Sequence, residues 1–426
     1  MSLFGKKSKA IRFYETGTWF YDRQNYTEAI PYFRRAANLG SVDAGLAMAK
    51  CYRTGAGVAI DEGKAFRIYK KLSGKSQEAK WLQGRCYFDG IGTKRNIGQA
   101  VRCYEKAAKK GHAAAQTDLA ICYMEGNHVR QNLRQAVVLL RMAGRQGYAP
   151  AQYKLGYCYD DGIGVGKIPE RALKWYERAA DQGYVDAIYQ LAVCYLRGKG
   201  VDRDDLTAVD LLRQAANQGH AGAQLSLGCC YHDGRGVEKS LTEAVKWVRS
   251  AAELDYTMAQ VLLGNFYKSG DGVNRDLNEA AHWYRQAARQ HNRDAEYQLG
   301  LLYSRGIGDE RGEPDYEKAS ECFRRAAEQG HPEAQYELAL CYLHGDGVGE
   351  GAAKKPQYTD ALRYLVPAAE NGVAGAQYTL GMCYLKGYGV RRSPAEAGKW
   401  FQRASERGNA DARNQLAELR KKRDFI

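Results

Sequence analysis

Residues 151–183 read AQYKLGYCYDDGIGVGKIPERALKWYERAADQG. Ala151, Leu155 and Cys158 follow one another at spacings of four and three, which puts them on one face of a 3.6-residue helix. Gly162-Ile163-Gly164 then ends that helix, because glycine takes the positive φ of a helix C-terminus without steric cost. A second helical run carries Ala172, Trp175-Tyr176 and Ala179-Ala180 and stops at Gly183. The stretch predicts two helices, A and B, joined by a glycine turn. Gly156 on helix A predicts a close approach of helix B, since a large side chain there would overpack.

The same pattern recurs along the chain. An alanine followed eight residues later by tyrosine begins at Ala44, Ala79, Ala115, Ala151, Ala187, Ala223, Ala259, Ala295, Ala334 and Ala376, and Ala412 starts a last helix without its tyrosine. Most spacings are 36 residues. A fixed period of this size means stacked helical units rather than one enlarged globular core. Counting from each alanine as position 1, position 6 is always Gly or Ala, and Gly-x-Gly occupies positions 12–14 in nine repeats. The third repeat departs with Gly126-Asn127-His128. Position 18 is Asp, Asn or Ser in eight repeats, including Asp61, Asn96, Asn132, Asp204, Ser240 and Asp276, and predicts the N-cap of helix B. Helix A is expected over positions 1–12, with 1, 5, 8 and 12 on its core face.

Ala-x-x-x-Leu-Gly-x-x-Tyr-x-x-Gly-x-Gly-Val followed by Lys-Ala-x-x-Trp-Tyr-x-x-Ala-Ala-x-x-Gly resembles the Sel-one-like repeat family, a relative of the tetratricopeptide repeat; Ala223–Tyr256 and Ala376–Gly408 match the pattern closely. The resemblance covers residues 44–411 as ten repeats. Residues 10–43 resemble an ordinary tetratricopeptide unit, with Gly17, Phe20, Tyr26, Ala29, Phe33 and Ala36 at that motif's spacings. Residues 1–9 are expected as a basic tail, and 412–426 as a capping helix with a second basic tail at Arg420–Arg423. The resemblance implies an all-α, right-handed solenoid of antiparallel helix pairs, helix A lining the concave side. It also implies a non-enzymatic scaffold or adaptor that binds protein partners.

Two insertions, within Ile307–Asp315 and Val348–Tyr358, lengthen the A-to-B loops. They read equally as binding loops or as neutral length drift.

Eight of the 11 cysteines occupy position 8, which Phe266 and Leu302 fill in the remaining two repeats. The column therefore asks for a small apolar residue. Equivalent positions of stacked helices lie about 10 Å apart, beyond the roughly 7 Å that a disulfide spans. Reduced thiols and a cytoplasmic location are the expectation. No C-x-x-C suggests zinc, and no cofactor is expected. His112, His220 and His331 share a turn column with Tyr148 and Tyr184, which suggests a structural role. Gly162–Lys167 imitates a phosphate loop, but it follows a helix and lacks the Lys-Ser or Lys-Thr pair. No nucleophile stands at catalytic spacing to a base.

Positions 3, 7 and 10 lie opposite the core face and form the candidate partner-binding surface. They bring together Trp81, Arg85, Phe88, Tyr153, Tyr157, Tyr189 and Leu196, and further along Tyr297, Tyr336, Leu340, Leu343, Tyr378, Met382 and Leu385. This apolar and aromatic stripe is either exposed for recognition or packed against the next repeat. The chain carries 63 Lys and Arg against 49 Asp and Glu, a net charge of +14. That balance admits an acidic protein, a nucleic acid or an anionic membrane surface as partner. RNA is the alternative reading, disfavoured because Asp89, Asp160 and Asp161 lie near the stripe. No run is long and apolar enough to span a bilayer, and a monomer is expected because both ends look capped.

Overall fold

The computed structural model describes residues 3–308, 312–348 and 356–423, which are helical and contain no strand. The chain divides into two compact halves, residues 1–214 and 215–426. The first holds α1 (Leu3–Asp22), α2 (Tyr26–Asn38), α3 (Val42–Thr54), α4 (Glu62–Leu72), α5 (Gln77–Asp89), α6 (Ile97–Ala108), α7 (Ala113–Glu125), α8 (Leu133–Arg145), α9 (Ala149–Asp161), α10 (Pro169–Ala180), α11 (Val185–Arg197) and most of α12 (Asp205–Asn217). The second holds α13 (Ala221–Asp233), α14 (Leu241–Glu253), α15 (Thr257–Ser269), α16 (Leu277–Arg289), α17 (Arg293–Tyr303), α18 (Tyr316–Glu328), α19 (Pro332–His344), α20 (Tyr358–Glu370), α21 (Ala374–Lys386), α22 (Pro394–Glu406) and α23 (Ala410–Arg423). Within each half every helix packs on the next, from α1 through α11 and from α13 through α23. This is an α-solenoid of antiparallel helix pairs. Odd-numbered helices form layer A and even-numbered helices layer B.

The helix boundaries correct the expected ones. Helix A begins two residues before the repeat alanine and ends at position 11, as in Ala149–Asp161, except in α17, which ends at position 9. Position 12 lies outside it. Gly162 takes φ 77° and donates its N–H to the Cys158 carbonyl at 2.9 Å, closing the helix. The second glycine of the turn has a different constraint. A Cβ on Gly164 would lie 2.3 Å from the Leu133 carbonyl oxygen of the preceding repeat. The third repeat places His128 there at φ 56°. The preceding repeat answers with Gly98, where a Cβ would come within 2.9 Å of the imidazole. The expected caps of helix B form: Asp61, Asn96 and Ser240, among others, accept from the backbone N–H three residues on. The histidine column caps helix A. His112, His220 and His331 accept the N–H of Ala115, Ala223 and Ala334 through Nδ1.

Residues 3–9, expected as a tail, are instead the first turns of α1, with Lys6, Lys7 and Lys9 exposed. The segment expected as a capping helix falls largely in α23, whose Leu416 and Leu419 rest on Phe401 and its neighbours. The two insertions fall between α17 and α18 and between α19 and α20, and their residues 309–311 and 349–355 lie outside the described ones.

The repeat core is built on one close contact. The repeat alanines and the helix B residue at position 26 are almost wholly buried. A Cβ on Gly156 would stand 2.6 Å from the Tyr176 ring and 3.2 Å from the Ala172 carbonyl. Gly84, Gly264, Gly300 and Gly381 face Tyr104, Tyr284, Phe323 and Phe401 in the same way. Where position 6 is alanine, at Ala120, Ala192 and Ala339, position 26 is Leu140, Leu212 and Leu365. The pair thus exchanges volume between its two members at nearly constant total. Two repeats depart, the first pairing Ala49 with Tyr69 and the sixth Gly228 with Val248, and nothing in the structure explains either.

A polar ladder, invisible in the apolar pattern, joins successive repeats. Gln152 at position 2 donates Nε2 to the Gly144 carbonyl in the last turn of the preceding helix B, at 3.0 Å. Its Oε1 accepts from Gln182, at the end of its own helix B, at 2.7 Å. Gln116, Gln224, Gln260, Gln335 and Gln377 reach back to the same orphan carbonyls. The eighth repeat substitutes Glu296, fully buried. Its Oε2 accepts from Gln329 at 2.7 Å, and Oε1 has no hydrogen-bond partner among the described residues. A carboxylate has no N–H to give a carbonyl, and burial pushes the Glu296 carboxyl up from its ordinary value, against the pull of Arg325 and His291.

Gly156→Ala gains up to about 1 kcal/mol of helix propensity but overpacks a site that cannot yield, at about 1–3 kcal/mol. The variant is expected to be less stable in denaturant unfolding, and adding Tyr176→Leu is expected to cost less than the sum of the two single changes. Independent, additive losses would refute the close-contact account. For Glu296 the folded-state pKa is raised, so its contribution to stability is present below about pH 4 and is lost as pH rises through the folded value. Glu296→Gln restores the ladder donor and is expected to gain on the order of 1 kcal/mol at pH 8 and much less at pH 4. Thermal midpoints at the two pH values check this, and an equal gain at both would contradict it.

Candidate functional site

Layer A is the candidate site. The helical register decides which of its side chains reach outward. Position 3 does not. Trp81 donates Nε1 to Asp118 Oδ2 of the next repeat at 2.7 Å, with its ring 5.5 Å from His112. Tyr153 lies 6.0 Å from Tyr176 and 5.5 Å from Tyr184, which precedes the next helix A. Tyr297 lies 6.2 Å from Phe323 and 4.5 Å from His331. Tyr378 rests on Phe401, and Tyr336 comes within 2.8 Å of where a Cβ of Gly375 would stand. These five aromatics are wedges between repeats, each leaving an edge accessible; Tyr189 is likewise half-buried. Position 10 is half-buried at Phe88, Leu196, Leu343 and Leu385, as are Leu340 and Met382 at position 7. Arg85 and Tyr157 are the members of the predicted set that are exposed, the latter at 42 %.

The spacing of positions 3, 7 and 10 missed position 4, which lies on the same stripe as 7 and 11. It holds Asp118, Lys154, Gln190 and Glu337, all half-buried. The signal was present: column 3 keeps an aromatic or aliphatic residue in every repeat but the third, which has Thr117, while column 4 varies in polarity. Burial pushes the Asp118 carboxyl up, while the Trp81 hydrogen bond and the Arg85 charge, whose Nη1 is 3.9 Å away, pull it down. Glu337 is pushed up by burial against the pull of Arg305. Lys199 reaches from the following turn to Asp160 at 2.7 Å.

An open cavity of about 540 Å³ occupies the start of layer A. Tyr14, Tyr21, Leu46 and Leu82 supply apolar walls, and Lys50 and Arg53 stand on its α3 side. Asp22, Asp43 and Glu78 complete a mixed-charge rim. Glu78 already pairs with His112 at 2.7 Å, and Arg53 hydrogen-bonds Tyr69. Lys50 lies 5.2 Å over the Tyr21 ring. In the N-terminal half the layer A helices α3 to α11 hold six Lys and Arg against eight Asp and Glu. That balance gives a nucleic-acid backbone no cationic track.

All eleven cysteines are free thiols, and those of position 8 are buried. Burial pushes Cys158 up to about 11 and Cys122 to about 12, so they are poor nucleophiles at neutral pH. No described helix is long and apolar enough to cross a membrane.

A family model described as Sel1 repeat matches eleven segments: 10–41, 43–73, 78–112, 113–148, 149–184, 185–220, 221–256, 257–292, 293–331, 332–373 and 374–409. The first of these is the leading segment set apart in the sequence. The solved structure of c5321, a protective antigen present in uropathogenic Escherichia coli strains and displaying an SLR fold, is 31 % identical, with a TM-score of 0.70 over 99 % of this chain and 91 % of that one. A Sel1 repeat protein from Oxalobacter formigenes is also 31 % identical, with a TM-score of 0.53 over 75 % of this chain and 89 % of that one. No curated protein sequence matches.

Proposed function

Because the chain belongs to the Sel1 repeat family, we propose that it is a non-enzymatic scaffold that holds an extended or helical segment of a partner protein against layer A. The observation that carries this reading is the open cavity between Tyr14, Tyr21, Leu46 and Leu82, beside the cations Lys50 and Arg53. Apolar walls would seat an anchoring side chain, and a mixed-charge rim would fix its register. Further along layer A, exposed Arg85 and Tyr157 supply the residue types that dominate interface energetics. On the N-terminal half the half-buried wedges Trp81 and Tyr153 present edges to the segment and hold the surface rigid; Tyr297, Tyr336 and Tyr378 are the corresponding wedges of the C-terminal half. Low thiol reactivity also supports a binding role over covalent catalysis.

The triple variant Lys50→Ala, Arg85→Ala, Tyr157→Ala touches exposed side chains only and is expected to unfold at the wild-type midpoint. In affinity capture from native extract, quantified by mass spectrometry, it is expected to lose partners by tenfold or more, the equivalent of about 1.4 kcal/mol. Retention of every partner at wild-type yield would refute layer A as the binding surface.

A further inference from the structure

The net charge of +14 has a location that composition could not give. In the N-terminal half, the layer B helices α2, α4, α6, α8 and α10 hold fourteen Lys and Arg against five Asp and Glu. The matching helices of the C-terminal half, α14 to α22, hold ten against ten. Thirteen of the fourteen cations are exposed; Arg141 is half-buried and donates to the Tyr159 hydroxyl at 3.1 Å. Among the described residues only Lys64 of this set stands in an ion pair, with Asp61.

The excess culminates on α8. Residues 126–159 contain no Asp or Glu. Arg134, Val138, Met142 and Arg145 follow at spacings of four, four and three, one stripe of the helix. Val138 is 44 % and Met142 47 % exposed, and they are the exposed large apolar side chains of these five helices. An apolar pair flanked by arginines on an acid-free helix is the pattern of an interfacial surface.

We propose that layer B of the N-terminal half docks on an anionic phospholipid bilayer, with Val138 and Met142 entering the headgroup region. The cations are spread over five successive layer B helices and do not line a slot. A soluble acidic segment needs a slot to hold it, whereas a bilayer presents phosphates and carboxylates across the whole layer. Each exposed Lys or Arg near such a surface adds to the attraction, which decays over a Debye length of about 8–10 Å. Association is peripheral and leaves layer A open to its partner.

Co-sedimentation of the full chain tests this, with vesicles of phosphatidylcholine alone and with about 30 % phosphatidylserine, the anionic lipid of the cytoplasmic leaflet. The protein is expected to sediment with the anionic vesicles only and to be released at about 0.5 M salt, where screening is short-ranged. Val138→Glu with Met142→Glu, and separately Arg102→Glu with Lys106→Glu, are each expected to lower partitioning by roughly tenfold or more. Lys399→Glu with Arg403→Glu on α22 changes net charge as much as the second pair and is expected to leave binding within about twofold. Circular dichroism midpoints confirm that each variant folds. No sedimentation with anionic vesicles overturns the proposal, as does equal loss from the α22 pair. Capture by soluble polyglutamate without vesicle binding also overturns it, in favour of an acidic protein.

Discussion

The approach of helix B to the small residue at position 6 is the constraint on which the rest of the repeat depends. With the Tyr176 ring 2.6 Å from where a Gly156 Cβ would stand, the two backbones meet more closely than any larger residue allows. That contact sets where helix B lies, and so where its C-terminal carbonyls meet the next repeat. The glutamine ladder and the seat of the second turn glycine, such as Gly164 on Leu133, then follow as inter-repeat contacts of fixed geometry. The constraint acts on a sum of volumes, which explains why leucine accompanies alanine at Ala120 and Ala192 while tyrosine accompanies glycine at Gly84 and Gly264.

Stacking identical constraints leaves two layers with different freedoms. Layer A spends its aromatic column on wedging neighbours apart, so its outward chemistry comes from positions 4, 7 and 11, where charge is mixed and often paired. Layer B buries its tyrosine and alanine columns inward and leaves its opposite face unconstrained by packing. Charge can therefore accumulate there without cost to the core, as it does on α2 to α10 and not on α14 to α22. The division suits a scaffold with one face for a partner segment and another for an extended surface.

Much of the fold was legible in the residues. The spacing of Ala151, Gly156 and Tyr159, repeated ten times, announced paired helices and their close approach. The caps at Asp61, Asn96 and Ser240 could be read directly, because capping is local chemistry. The candidate surface was legible only in outline. Trp81, Tyr153 and Tyr297 were assigned to it from helical phase alone, and phase cannot distinguish a side chain that faces a ligand from one that faces the next repeat. Glu296 illustrates the same limit: among the surrounding glutamines it reads as a conservative change, and only its burial makes its charge matter.

The sequence by itself determined the repeat, its period, its helices and their turns, because these follow from short-range stereochemistry and an apolar period that each repeat contains in full. Only the tertiary structure decided which columns wedge and which remain outward, where the ladder runs and on which layer the positive charge lies. Those properties arise between residues about thirty to forty positions apart, such as Trp81 and Asp118 or Leu133 and Gly164, and they exist only once neighbouring repeats are stacked.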